Sequence, residues 1–130
     1  MRFVADNTRE RAPAVTLHLV PEDVWLAQKE KSRYQPEGFS GEGFIHCTHG
    51  HGFVIEVGNR YYRDDPRPYL VLEVDLERVA APVVYEDAAR RFPHIYGQLE
   101  RHAARRICRM ERVADGTFIA IGDPAPEHLS

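Results

Sequence analysis

Hydrophobic residues alternate with other residues most regularly in YLVLEVDL, residues 69–76. Leu70, Leu72 and Val74 recur at every second position, which is the spacing of one face of a β-strand. The positions between them are also apolar at first and become acidic towards the end. The segment therefore predicts a strand in the centre of a sheet.

A first strand is predicted from Val15, because Leu17 and Leu19 fall on one face and His18 on the other. PEDVWLAQKEKSRY, residues 21–34, then begins with a proline and two acids and carries lysines later. That order is typical of a helix, since acids favour its N-terminal end and bases its C-terminal end. We expect this first helix to be short.

A second strand and a second helix are predicted next. GFIHCT, residues 43–48, reads as a strand in which every second side chain shares a face. Phe53, Val57 and Tyr61 follow at spacings of four, which predicts a helix over residues 50–62 with these three side chains on its apolar face.

The last third of the chain is richer in strand signals. PVVYED, residues 82–87, predicts a short strand, and residues 106–112 and 117–121 predict a hairpin that turns at residues 114–116. FPHIYGQL, residues 92–99, is aromatic and its pattern does not separate helix from strand. Because strands outnumber helices and the two main helices come early, the pattern favours an α+β fold over a doubly wound parallel sheet.

The chain is long enough for one domain, which we place at residues 15–122. Residues 1–14 carry little periodic hydrophobicity and end in Arg-Ala-Pro, so they predict a flexible arm. Residues 123–130 contain two prolines and predict a frayed tail.

Composition narrows the classes of protein. The chain is 43% hydrophobic and 28% charged, and it has no apolar run near the roughly 20 residues that a membrane helix needs. The first 15 residues lack the apolar stretch of a secretory signal, which predicts a cytoplasmic protein. The net charge of -3 disfavours binding of nucleic acid through the overall electrostatic field of the protein. Arginines cluster in residues 90–112, however. They predict either a local anion-binding patch or an ordinary solvated surface with salt bridges.

The segment HCTHGH, residues 46–51, resembles metal-binding sequences in composition only. His46 and Cys47 are adjacent on a strand and point to opposite faces, so they do not share one ion, and no second ligand pair completes a site. We therefore predict no metal. Cys47 is interpreted as a small buried hydrophobe rather than a nucleophile, and the role of the His49-Gly50-His51 segment is left open.

Six polar residues lie in otherwise apolar segments. A buried polar group without a partner costs on the order of 1–3 kcal/mol, so such a set indicates either a satisfied internal network or the floor of a cleft. The residues are His18, His46, Thr48, Glu86, His94 and Tyr96.

The blocks that carry these residues resemble a known family. LHLV, GFIHCT, NRYY, LVLEVDLERV, PVVYE, FPHIYGQL and DGTF are similar, in order, to the blocks of the bacterial domain of unknown function 952 family. The resemblance covers Val15 to Ile121. It implies an ADP-ribosyltransferase-like fold, which is a split and mostly antiparallel sheet with a cleft that holds NAD in active relatives.

The resemblance also implies roles for the polar residues. His18 would contact the adenosine ribose, His46 and Thr48 would lie at the nicotinamide end, and Glu86 would stabilise an oxocarbenium-like state. Catalysis is thereby assigned to His46 and Glu86. Ligand binding is assigned to His18, Thr48, His94 and Tyr96. The chain departs from the family where GFIHCS becomes GFIHCT, where THGHGF follows with an extra residue, and where FPHIYGPL becomes FPHIYGQL.

Three functions follow from this as hypotheses. The first is an enzyme that acts on NAD, or on a related phosphate-containing nucleotide, by chemistry like ADP-ribosyl transfer, with NAD as substrate rather than as a resident cofactor. The second is a non-catalytic module for a small anionic ligand or an RNA end. The third is a protein-interaction domain. The pattern predicts neither the oligomeric state nor the physiological ligand.

Overall fold

The structure is a computed structural model that describes residues 14–126. Two short 3₁₀ turns, Leu76–Arg78 and Arg101–Ala103, connect its longer elements. In chain order the helices and strands are β1 (Val15–Pro21), α1 (Glu22–Ala27), β2 (Arg33–Tyr34), α2 (Phe39–Glu42), β3 (Ile45–His46), α3 (His51–Tyr61), β4 (Tyr69–Asp75), β5 (Val83–Tyr85), β6 (Pro93–Ile95), β7 (Leu99–Glu100), β8 (Ala104–Arg112) and β9 (Phe118–Pro124).

The strands form a divided sheet system. A four-stranded sheet has the order β1-β4-β8-β9, a three-stranded sheet the order β3-β6-β5, and β2 pairs with β7. Each of these pairings is antiparallel. An isolated bridge joins the two larger sheets, where the backbones of Leu17 and Thr48 exchange hydrogen bonds of 3.0 and 2.8 Å. The predicted α+β domain with a split, mostly antiparallel sheet is confirmed.

Strand β4 lies inside the largest sheet, as its sequence predicts, and it is buried on both faces. Leu70 and Leu72 pack on one face with residues of the two-stranded and three-stranded sheets and with Trp25 of α1. Val71 packs on the other face against Val54 of α3. Burial of each such side chain contributes about 1.5–3 kcal/mol, so β4 is the element on which both halves of the core are built.

Helix α3 forms where predicted, but a different face is buried. Val54 and Gly58 face the sheet, whereas Phe53 is 38% and Tyr61 is 68% exposed. A Cβ atom at Gly58 would lie only 3.0 Å from the ring of Phe118. The glycine thus lets the helix approach the sheet closely. Of the predicted apolar face, Phe53 and Tyr61 are turned towards a cleft, whereas Val57 is partly buried against the core.

The side chain of Asn59, also on α3, fastens the helix to strand β9. Its Nδ2 donates to the carbonyl of Phe118 at 3.0 Å, and its Oδ1 accepts from the N–H of Phe118 at 2.7 Å. The amide occupies the position that the backbone of a further strand would take. Helix and sheet edge are therefore joined by polar contacts as well as by packing.

The predicted hairpin is confirmed, since β8 pairs with β9. Its turn contains Gly116 at φ 97°, which a residue with a Cβ adopts at a cost. The boundary of the predicted tail is wrong: β9 continues to Pro124, and the N–H of Ala125 donates to Ile107 at 2.8 Å. Asp123 and Pro124 therefore belong to β9, and Ala125 is tied to β8 by one further hydrogen bond.

The predicted arm lies almost entirely outside the described residues, as do the last four residues of the predicted tail. Ala14, the last residue of that arm, accepts a hydrogen bond from the N–H of Leu76 at 2.8 Å. Within residues 14–126, the helices are all too short and too polar to span a membrane.

Candidate functional site

A cleft of about 1310 Å³ opens where helix α3 passes the junction of β1 and β3. This exceeds the roughly 300–1,000 Å³ of most ligand pockets. Its floor includes Leu17, His18, Leu19, Cys47 and Thr48. Its walls include Tyr34, Glu37, Glu42, His46, Phe53, Glu56, Val57, Asn59, Arg60, Tyr61, Tyr62, Tyr69, Glu86, Asp87, Arg91, Phe92 and His94.

His18 is held in the floor by hydrogen bonds at both ring nitrogens. Its Nδ1–H donates to the carbonyl of His46 at 2.7 Å, and its Nε2 accepts from the hydroxyl of Tyr34 at 2.8 Å. The residue is only 4% exposed, and this burial lowers its pKa to about 4, against the raising effect of the carbonyl. His18 is thus neutral at pH 7, and a ligand would have to replace one of its two partners to bind the ring directly.

Cys47 and Thr48 complete the floor, and both are buried. Burial raises the pKa of the Cys47 thiol far above its ordinary value, so the thiolate that a nucleophile requires does not form at neutral pH. Cys47 is the small buried hydrophobe that the sequence predicts. Thr48 is fixed by its backbone bridge to Leu17.

Glu86 lies at the rim of the cleft and is held by two donors. Its Oε1 accepts from the hydroxyl of Tyr96 at 2.8 Å and from Nδ1 of His94 at 2.6 Å. These bonds, that from Tyr96 first, lower the pKa of Glu86. Its other oxygen, Oε2, has no hydrogen-bond donor among residues 14–126, so an ionised and oriented carboxylate oxygen is left for a ligand.

The ring of Phe44 organises this rim. It stacks on His94 with ring centroids 4.2 Å apart, and it contacts His46 at 4.8 Å and Tyr96 at 5.1 Å. His46 in turn shares a hydrogen bond of 3.0 Å with Glu42 through its Nε2. Phe44 was missed by the sequence reasoning, although it shares the strand face of His46 in GFIHCT, which is the signal that could have found it.

The structure brings the predicted set together in one place. Five members line the cleft, and the sixth, Tyr96, is joined to it through Glu86. His18 reaches the rim through the carbonyl of His46 rather than through a side chain. These residues therefore lie together, while their catalytic and ligand-binding roles stay predictions.

The His49-Gly50-His51 segment takes no part in lining the cleft. His49 Nε2 lies 2.6 Å from the hydroxyl of Tyr85, and its Nδ1 is buried without a hydrogen-bond partner in the described part of the chain. His51 is exposed at the start of α3. In residues 14–126 we find no group of three His, Cys, Asp or Glu side chains that could hold a metal ion.

Charges in the cleft are unequal. Five carboxylates line it, from Glu37, Glu42, Glu56, Glu86 and Asp87, against two guanidinium groups, from Arg60 and Arg91. Glu37 is fixed by Arg67, which also binds Asp65 at 2.8 Å. The lining therefore favours a ligand with a cationic part, and aromatic rings between the charges offer stacking surfaces.

Fold and cleft together define a small α+β domain with a polar, aromatic-lined cleft. The family model described as "Protein of unknown function (DUF952)" matches residues 19–107. The chain belongs to this family, which confirms the family resemblance inferred from GFIHCT and FPHIYGQL.

Solved structures of one protein share the fold. The crystal structure of protein CC0527 from Caulobacter crescentus is 23% identical, covers 81% of this chain and 93% of that chain, and superposes with a TM-score of 0.69. Its solution NMR structure is 22% identical, covers 80% and 90%, and has a TM-score of 0.63. No curated protein matches the chain. Likeness at this level concerns the fold alone, and the ADP-ribosyltransferase-like grouping stays a prediction.

Proposed function

We propose that the cleft binds NAD, or a closely related dinucleotide, and that the protein cleaves the bond between nicotinamide and ribose by chemistry like ADP-ribosyl transfer. The observation that carries this is the carboxylate of Glu86, oriented by His94 and Tyr96 at the rim of a cleft. His18 and Thr48 form the floor beneath it. We infer an ADP-ribosyltransferase-like activity from this arrangement together with the family resemblance.

The chemistry assigned to Glu86 is electrostatic. As the bond from ribose C1′ to the nicotinamide nitrogen breaks, its electron pair leaves with nicotinamide and positive charge develops on the ribose. A fixed anion beside that charge lowers the barrier, because it needs no reorganisation at the moment of reaction. With water as acceptor, a C1′–O bond forms and the products are nicotinamide, ADP-ribose and a proton. His46, exposed beside Glu42, is our candidate base for that proton.

The charge balance of the cleft supports a ligand of this kind. The nicotinamide ring of NAD is cationic, which suits the carboxylate excess, and its pyrophosphate needs cationic partners, which the two arginines provide. The same excess weighs against the alternative of a small anionic ligand or an RNA end, because such a ligand, unlike NAD, has no cationic part to place beside the carboxylates. Binding without turnover would instead support a non-catalytic module, and a protein-interaction domain would bind its partner regardless of substitutions in the cleft.

The test is to incubate the protein with NAD and to measure the released nicotinamide by chromatography. Removal of one oriented electrostatic group typically costs about 10²–10³ in kcat, so Glu86→Gln should lose turnover by that factor and keep its affinity for NAD. Glu77→Gln is the control, because Glu77 is exposed and lies outside the cleft. The proposal is refuted if the wild-type protein neither binds NAD at millimolar concentration nor releases nicotinamide.

A further inference from the structure

Arg91 differs from most of the arginines in residues 14–126, whose guanidinium groups have protein partners. The guanidinium groups of Arg67 and Arg109 pair with carboxylates, and that of Arg112 donates to backbone carbonyls. Arg91 is half-buried in the cleft wall and lies with its guanidinium carbon 3.7 Å from the ring centroid of Phe53. Among residues 14–126 it forms no ion pair, so its N–H groups are left to a ligand.

The backbone of Arg91 is fixed on both sides. Its N–H donates to Oδ2 of Asp87 at 2.8 Å, and its carbonyl accepts from the N–H of His49 at 2.8 Å. Asp87 also accepts from the N–H of Phe92 at 3.0 Å. Since hydrogen bonds fix the backbone of Arg91 and the contact with Phe53 positions its guanidinium, little conformational entropy remains to be lost when a ligand binds.

We propose that Arg91 is the residue that binds the pyrophosphate of the dinucleotide. This inference rests on the proposed function and adds a subsite to it. The planar fork of a guanidinium pairs with two phosphate oxygens at once, and the guanidinium of Arg91 is held over the ring of Phe53 while its N–H groups have no partner among residues 14–126. Arg60, the other arginine of the cleft, is exposed on α3 and has neither a stacked ring nor an ion pair among residues 14–126. Arg91 is therefore the prearranged cation.

The experiment compares two ligands and two neighbouring arginines. Nicotinamide riboside carries the nicotinamide and its ribose but no phosphate, so it should not sense Arg91. Loss of a charge-assisted bond to phosphate weakens binding by about tenfold to a hundredfold. Dissociation constants of Arg91→Gln, measured by calorimetry, should rise by that factor for NAD and stay within about twofold for nicotinamide riboside.

Arg90→Gln is the matched control. The guanidinium carbon of Arg90 lies 4.4 Å from the ring centroid of Tyr85, and the residue does not line the cleft, so its variant should bind both ligands like the wild type. Arg91→Lys keeps the charge without the fork and should fall between the wild type and Arg91→Gln. It also replaces Arg91→Gln if that variant does not fold.

The outcomes separate this inference from the proposed function. An unchanged affinity of Arg91→Gln for NAD, or an equal loss for both ligands, overturns the role of Arg91 while nicotinamide release by the wild type still supports the enzyme. If the wild-type protein binds NAD without cleaving it, the catalytic proposal is refuted. The same titrations with Arg91→Gln then still decide whether Arg91 binds the phosphates. A wild-type protein that binds no NAD refutes both.

Discussion

Acid should destabilise this protein through one residue of the cleft floor, His18. The folded protein holds its ring neutral, between the carbonyl of His46 and the hydroxyl of Tyr34. Burial lowers the pKa of His18 from an ordinary value of 6.5 to about 4. Between these two values the unfolded chain binds a proton at this residue and the folded protein does not, so the free energy of unfolding must fall as the pH falls.

The size of the effect follows from the shift in pKa. A difference of one pKa unit corresponds to about 1.36 kcal/mol, and 6.5 − 4 is 2.5 units. Allowing for partial protonation of the folded state at pH 4, His18 should remove about 3 kcal/mol of stability between pH 7 and pH 4. That is a large share of the roughly 5–15 kcal/mol that holds a domain together. The contribution is complete above pH 6.5 and absent below pH 4.

Trp25 provides the assay. It is the chain's single tryptophan, it is fully buried, and its ring centroid lies 5.2 Å from that of Tyr34. Urea unfolding followed by tryptophan fluorescence at several pH values gives the free energy of unfolding at each. His18→Gln keeps a neutral polar side chain that does not titrate. Because all other groups are shared, the difference in pH dependence between the wild type and this variant isolates His18.

Parallel curves would refute the reasoning. If the wild type and His18→Gln lost the same stability between pH 7 and pH 4, His18 would be protonated as readily in the folded protein as in the unfolded chain. Its burial would then not control its charge. A lower stability of the variant at all pH values is expected and does not bear on the test, since only the change with pH is compared.

Three further predictions concern Thr16, Cys47 and Gly116. The hydroxyl of Thr16 is buried without a hydrogen-bond partner in the described structure, so Thr16→Val should raise the free energy of unfolding by about 1 kcal/mol, measured in urea; a loss of stability would show that the hydroxyl is satisfied. The thiol of Cys47 is buried and its pKa is raised, so a thiol reagent should label it only after unfolding; rapid labelling of the folded protein would contradict its burial. A Cβ at Gly116 would clash with the carbonyl oxygen of Arg63, and this residue has a positive φ. Gly116→Ala should therefore lower the free energy of unfolding by about 2 kcal/mol or more, measured by thermal unfolding. Gly41→Ala, with open space around it, should not destabilise the protein.

The sequence predicted the elements whose signals are local. Strand β4 was recognised because Leu70, Leu72 and Val74 recur at every second position, and the β8–β9 hairpin because its turn residues separate two alternating runs. The buried face of α3 was not recognised, because Gly58 carries no hydrophobic signal and its importance lies in the approach of Phe118. FPHIYGQL stayed ambiguous because it is divided between the short strands β6 and β7, which pair in two different sheets.

The site was predictable in part for the same reason. His46 and His94 were selected as polar residues in apolar segments, and the register of β3 and β6 places them directly opposite each other. Arg91 was noted only as one member of an arginine-rich span. Its contact with Phe53 depends on how the loop before β6 approaches α3. The residue pattern within either segment does not predict this approach. Contacts between distant segments had to be observed.

Asn59 has a consequence for how copies of this chain meet. Strand β9 is the outer strand of its sheet, and exposed outer strands readily recruit an additional strand from another molecule. At Phe118 that recruitment is blocked, since the asparagine amide already takes both the donor and the acceptor which an incoming chain would need. Removing this amide would leave the N–H and the carbonyl of Phe118 free to pair with a strand of another molecule. We therefore expect the Asn59→Ala protein to self-associate in concentrated solutions.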